Sequence, residues 1–136
     1  MKPVRSTMWI MTLAASACAA ALAPDAQVAG KQWVAEVREI GDAKQRPRLE
    51  FARDGRLTGY TGCNRLSGAW RVEEGAVRFG ALATTKRACL GPAGDAEKRV
   101  LAALGERSRV SVERGRLIVQ GAGGERIEFV EAPSTP

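Results

Sequence analysis

Three cysteines, a handful of polar residues beside two of them, and no histidine make up the chemical inventory of this 136-residue chain. Without histidine there can be no Ser-His-Asp or Cys-His nucleophile arrangement, and the commonest ligand of zinc, copper and iron sites is missing. Cys63 and Cys89 are the two cysteines of the main body of the chain; Cys18 lies near its start. In an exported protein such a pair tends to be oxidised. Closing a loop of about 25 residues in this way restricts the unfolded chain by about 3.5 kcal/mol. A bridge between Cys63 and Cys89 is therefore expected, the alternative being two buried free thiols that behave as small hydrophobes. The spacing is not that of a Cys-x-x-Cys exchange centre.

Next to Cys63 stand Asn64 and Arg65, and shortly before Cys89 stands Arg87. An arginine offers a planar donor fork to a carboxylate or phosphate, so Asn64, Arg65 and Arg87 are the candidate binding residues. In the alternative, Gly62 and Asn64 form a tight bulge in which the Asn side chain satisfies nearby backbone groups. Thr84 and Thr85 pose the same choice. The adjacent acids Glu73 and Glu74 fall at a turn, whereas glycosidase chemistry needs two acids held across a cleft. The run Gly121-Ala122-Gly123-Gly124 is followed by neither Lys-Ser/Thr nor a helix start, so it is no phosphate cradle. Arginines spread along the strands, together with only 5% aromatic residues, argue against a nucleic-acid platform. No catalytic residue, metal ligand or cofactor is assigned.

The N terminus carries a different signal. Lys2 and Arg5 precede an uncharged run from Met8 to Ala23, the layout of a secretory signal peptide over residues 1–23. Its strongly apolar part, Met8 to Leu13, is shorter than the roughly 20 residues that a bilayer span requires. Ala19, Ala21 and Ala23 are candidate cleavage positions; Ala15-Ser16-Ala17-Cys18 also resembles a bacterial lipobox, with Cys18 as the lipidated first residue. Residues 24–30 then read as a linker. The expected location is the periplasm or cell envelope, either free or lipid-anchored. The exported part keeps a modest positive charge, suited to anionic lipid or polymer at the envelope.

From Lys31 onward, short period-two apolar runs separated by turn residues predict strands near Gln32–Glu39, Arg48–Arg53, Arg56–Thr61, Leu66–Val72, Ala76–Phe79, Arg109–Glu113, Arg116–Gln120 and Glu125–Val130. Asp54-Gly55, Glu74-Gly75 and Arg114-Gly115 mark tight turns. One helix is expected from an Asp95 cap to Gly105, with Ala96, Val100, Leu101 and Leu104 on its apolar face. Residues 132–136 form a tail. Strands and a single helix without βαβ alternation imply an α+β fold with antiparallel pairing.

The segment Gly59-Tyr60-Thr61-Gly62-Cys63-Asn64-Arg65-Leu66-Ser67-Gly68 resembles the signature of the META domain, the HslJ-like family of bacterial envelope proteins. Trp33 at the start of the domain and the run from Phe79 through Thr84-Thr85 to Cys89 agree with that family in order and spacing, over residues 31–131. Leu66 stands where an aromatic residue is usual, and Lys86-Arg87-Ala88 replaces a commonly methionine-containing stretch. The resemblance implies antiparallel strands curled into a conical, partly open barrel with one helix. It also implies a link, in some members, to stress or antibiotic tolerance, and no known reaction. The expected function is a non-enzymatic, monomeric envelope protein that binds another envelope protein or ligand. A small extracytoplasmic enzyme, or an inhibitor of an extracellular enzyme acting through the Gly41 to Pro47 loop, is the alternative.

Overall fold

The computed structural model describes Pro3 and residues 23–133, so the expected cleavage sites upstream of Ala23, and Cys18 with them, lie outside the described residues. In chain order the elements are α1 (Pro24–Val28), β1 (Lys31–Ala35), a 3-10 turn (Ala43–Gln45), β2 (Arg48–Phe51), β3 (Arg56–Tyr60), β4 (Arg65–Glu73) and β5 (Ala76–Thr84). They are followed by α2 (Gly91–Ala103), β6 (Arg109–Glu113), β7 (Arg116–Gln120) and β8 (Arg126–Glu131). Alternation decides which side of each strand is wet: in β2, Leu49 and Phe51 are buried while Arg48 and Glu50 face water. At Glu74-Gly75 and Arg114-Gly115 both turn residues have positive φ, the primed geometry whose twist matches the strands it joins.

The eight strands form one sheet in the order β5-β4-β3-β2-β1-β8-β7-β6, and every neighbouring pair is antiparallel. The sheet curls until its two edges, β5 and β6, approach each other without a hydrogen-bonded ladder, giving the expected partly open barrel. Trp33, Leu49, Phe51, Leu57, Phe79, Leu117 and Phe129 fill the concave side. Phe51 anchors the aromatic part, meeting the edge of Trp70 at 5.5 Å between ring centroids and Phe79 at 6.1 Å. Helix α2 adds Ala96, Val100, Ala103 and Leu104 to the same core.

Several expectations need correction. Residues 24–30 are not a free linker: α1 packs against β4 and β5, Val28 is fully buried, and the Gly30 N–H donates to the Phe51 carbonyl at 2.6 Å. A buried valine and a proline that presets the first helical turn make this segment part of the domain. Strand β1 stops at Ala35, whose N–H donates to the Pro47 carbonyl at 2.8 Å while Pro47, lacking an N–H, returns no bond; Val37 and Ile40 nevertheless stay in the core. Strand β5 runs on to Thr84, since beyond the irregularity at Gly68/Trp70 residues 66–68 still pair with 82–84.

The helix begins a full turn earlier than expected. Leu90 is its N-cap and offers no side-chain bond; Asp95 lies inside the helix. Packing against the sheet fixes the phase. Ala96, Val100, Ala103 and Leu104 share one side at 100° per residue, and Leu101 falls more than a quarter-turn away and is 41% exposed. At the other end of the domain the Ala132 N–H still donates to the Gln32 carbonyl at 2.8 Å, tying down the start of the expected tail.

Candidate functional site

Between β3 and β4 the chain makes a four-residue turn, Thr61 to Asn64, directly beneath α2. Gly62 has φ of 98°, and a Cβ there would stand 3.1 Å from Ala96 Cβ and 3.5 Å from Pro47 Cγ, so only glycine permits both the turn and the approach of the helix. Thr61, fully buried, accepts the N–H groups of Cys63 (3.2 Å) and Asn64 (2.8 Å) through Oγ1 and donates its hydroxyl to Glu97 Oε1 at 3.0 Å. Cys63 is bridged to Cys89, with their Cα atoms 6.0 Å apart, as expected from the compartment argument. The disulfide pins the β5–α2 connection to this turn.

Asn64 completes the clamp. Its Nδ2 donates to the Arg87 carbonyl at 2.9 Å and to Glu97 Oε1 at 2.8 Å, while Oδ1 accepts the Arg87 N–H at 2.7 Å and the Thr85 hydroxyl at 2.9 Å. Thr85 Oγ1 in turn accepts the Arg65 N–H at 3.1 Å. All the hydrogen-bonding capacity of a side chain only 4% exposed is thus directed inward. Asn64 therefore positions Arg87 rather than meeting a ligand itself, which agrees with the structural alternative set beside it in the sequence.

The arginines face the other way. Strand register sets Arg48, Tyr60 and Arg65 in one row across the outer face of β2, β3 and β4, and Gln32, Glu50 and Thr58 in the next. With Arg87 these rows line an open groove of ≈ 570 Å³. The Arg48 guanidinium lies 5.1 Å from the Tyr60 ring centroid and donates to the Lys44 carbonyl at 3.0 Å. Glu50 accepts from Gln32 Nε2 at 3.0 Å, whereas the side chains of Arg65 and Arg87 have no partner among the described residues. Beyond Cys89, at the same end of the domain, Leu90 is 95% exposed. The groove thus presents cationic forks and one aromatic edge. Its cysteine is locked in a disulfide, and Glu50 is its only acid among the described residues.

The structure therefore brings Cys63, Asn64, Arg65, Arg87, Thr85 and Cys89 together, and leaves Thr84 paired with Leu66 in the ladder. Glu73 makes an exposed ion pair with Arg71 at 2.7 Å. Glu97, Arg48 and Tyr60 are participants that the sequence reading missed. Glu97 did leave a trace: a carboxylate on the helix stripe between Ala93 and Val100, where an apolar residue would be expected. Arg48 and Tyr60 left none, because only strand register makes them neighbours. Among the described residues no three His, Cys, Asp or Glu side chains group as a metal site, and no helix is long and apolar enough to cross a membrane.

Solved structures share this architecture. A protein from Burkholderia xenovorans determined by NMR aligns with a TM-score of 0.62 at 24% identity, covering 91% of this chain and 99% of its own. A second NMR structure aligns with a TM-score of 0.64 at 21% identity, covering 81% of this chain and 95% of its own. The crystal structure of a DUF4847 family protein from Bacteroides vulgatus aligns at 0.53 and 13% identity, covering 82% and 99%. At these identities the likeness concerns the fold alone. No curated protein sequence matches the chain significantly. The family model of the META domain matches residues 26–134, which takes in most of α1, the disulfide, the Asn64 clamp and the whole curled sheet, and the chain belongs to the META domain family.

Proposed function

We propose that this protein is an exported, non-enzymatic component of the bacterial envelope that binds an anionic envelope partner through the groove of Arg48, Tyr60, Arg65 and Arg87. One observation carries the reading: the Asn64 clamp and the disulfide hold the backbone on both sides of the groove rigid, while the guanidinium groups of Arg65 and Arg87 remain unpaired at its rim. Preorganised, unneutralised forks suit carboxylate or phosphate recognition. A bridge between Cys63 and Cys89 suits an oxidising compartment. The stress or antibiotic tolerance that the family resemblance implies would then follow from binding rather than turnover. The test is recovery of partners from envelope extract by the purified chain and by an Arg65→Ala/Arg87→Ala variant. Reduced recovery at an unchanged thermal midpoint supports the proposal. Equal recovery by the variant, or sustained turnover of an envelope polymer by the pure protein, overturns it.

A further inference from the structure

A second groove, of ≈ 560 Å³, opens where the loop after β1 meets α2, β7 and β8, and five arginines line it: Arg38, Arg46, Arg99, Arg116 and Arg126. Its acids are Glu36 and Glu128, and both are already engaged. Arg116 contacts Glu36 and lies 3.5 Å from Glu128, and Arg126 closes on Glu128 at 2.8 Å. Arg99 reaches Glu125 at 3.5 Å on the rim. Two guanidinium groups are left without a carboxylate. Arg38 has no hydrogen bond or ion pair among the described residues. Arg46, half-buried, uses Nε to donate to the Ile40 carbonyl at 2.9 Å, which fixes the plane of its fork and leaves the terminal nitrogens without a protein acceptor among the described residues.

Both are rooted in the core, because Arg38 follows buried Val37 and Arg46 precedes buried Pro47. Two unneutralised forks, each next to a buried core residue and beside acids already engaged by Arg116 and Arg126, fit a ligand that carries two negative charges on neighbouring oxygens. A single carboxylate would neutralise only one fork, whereas a phosphate monoester is close to a dianion at neutral pH and presents three acceptor oxygens. The groove falls in the size range of small-ligand sites and has room for the rest of the ester. We infer that this groove is a phosphomonoester-binding site, with Arg38 and Arg46 holding the phosphate and Arg116 ordering the acids around it. It lies apart from the groove of Arg65 and Arg87 and does not depend on the function proposed for that one.

The experiment is a calorimetric titration of the purified chain with glycerol phosphate, paired with sedimentation on phosphatidylcholine vesicles with and without phosphatidic acid. Saturable binding of glycerol phosphate is expected, weakened at least tenfold by Arg38→Ala and unchanged by the surface control Arg71→Ala. Arg38 has no partner to lose, so Arg38→Ala keeps the parent's melting temperature and decides the matter even if Arg46→Ala fails to fold. Vesicle binding that requires both phosphatidic acid and Arg38 assigns a lipid headgroup as the source. Glycerol phosphate binding without vesicle binding assigns a soluble ester. No saturable binding at millimolar ligand, or an equal loss in Arg38→Ala and Arg71→Ala, overturns the inference and leaves only an ion-pair network.

Discussion

Replacing Asn64 by alanine tests the clamp on which the candidate site depends. The change deletes four hydrogen bonds of 2.7 to 2.9 Å, to Arg87 twice, to Thr85 and to Glu97, and the residue losing them is 4% exposed. At about 1 kcal/mol net for each bond the loss approaches about 4 kcal/mol. Thr85 and Arg87 are exposed residues whose freed groups can turn to water, which brings the expected cost down to about 2–3 kcal/mol. That is a large share of the roughly 5–15 kcal/mol that holds a small domain together. In guanidinium chloride, with a slope of about 3 kcal/mol per molar, the unfolding midpoint should fall by ~1 M under oxidising conditions. A fall of less than ~0.2 M at unchanged slope would refute the clamp. Asn64→Asp sharpens the test, because it sets a carboxylate against Glu97 where Nδ2 now donates. Two acids at that distance raise the folded-state pKa of the pair above its unfolded value. The variant's deficit should therefore be smallest at acid pH and grow as pH rises through the raised pKa. A deficit independent of pH would mean that the introduced carboxylate and Glu97 do not meet.

Four further outcomes follow from the packing. Leu104→Ala should lower stability by about 2–5 kcal/mol, whereas Leu101→Ala, on the exposed side of α2, should stay within about 0.5 kcal/mol of the parent by chemical denaturation. Leu90→Asp should stabilise the domain by about 1 kcal/mol, because it places a capping carboxylate at an N-cap that has none, and a lower melting temperature would contradict the helix start at Gly91. Reducing the Cys63–Cys89 bridge, 26 residues apart in sequence, should cost about 3.5 kcal/mol, read as the midpoint difference with and without reductant. The backbone N–H of Arg56 holds the Asp54 carboxyl below its ordinary value of 3.8. The turn's electrostatic support is then full above that value and lost as pH falls through the lowered pKa, and a carboxyl NMR titration of Asp54 with its midpoint at or above 3.8 would disprove the contact.

The strands were legible because a half-buried sheet writes its two faces into alternating residues. Strands β6 and β7 have the predicted bounds, and the turns at Glu74-Gly75 and Arg114-Gly115 fall where the sequence put them. The helix was less legible. Gly91, Pro92 and Gly94 are poor helix formers, and Leu90 is no capping residue, so local preference placed the start at Asp95; Leu101 was misplaced separately, because its apolar type beside Val100 suggested the buried face that Ala103 in fact occupies. The segment 24–30 looked like a tether because a single valine carries its burial, and one residue makes no period.

At the site the division is sharper. The amino-acid sequence by itself determined the antiparallel strands, through turn chemistry and alternation that are local properties of the chain; its motifs around Cys63, Asn64 and Cys89 carried the resemblance that implies the family and the curl of the sheet. Only the tertiary structure decided that Asn64 faces inward, that Glu97 receives both Thr61 and Asn64, and that Arg48 joins Arg65 across Tyr60. It also gathered five arginines from a loop, a helix and two strands around one groove. Period-two patterning says which side of a strand is wet and is silent on which strand lies beside it. Register and helix phase are set by packing over the whole domain, and the arrangement of charged side chains on its outer surface follows from them.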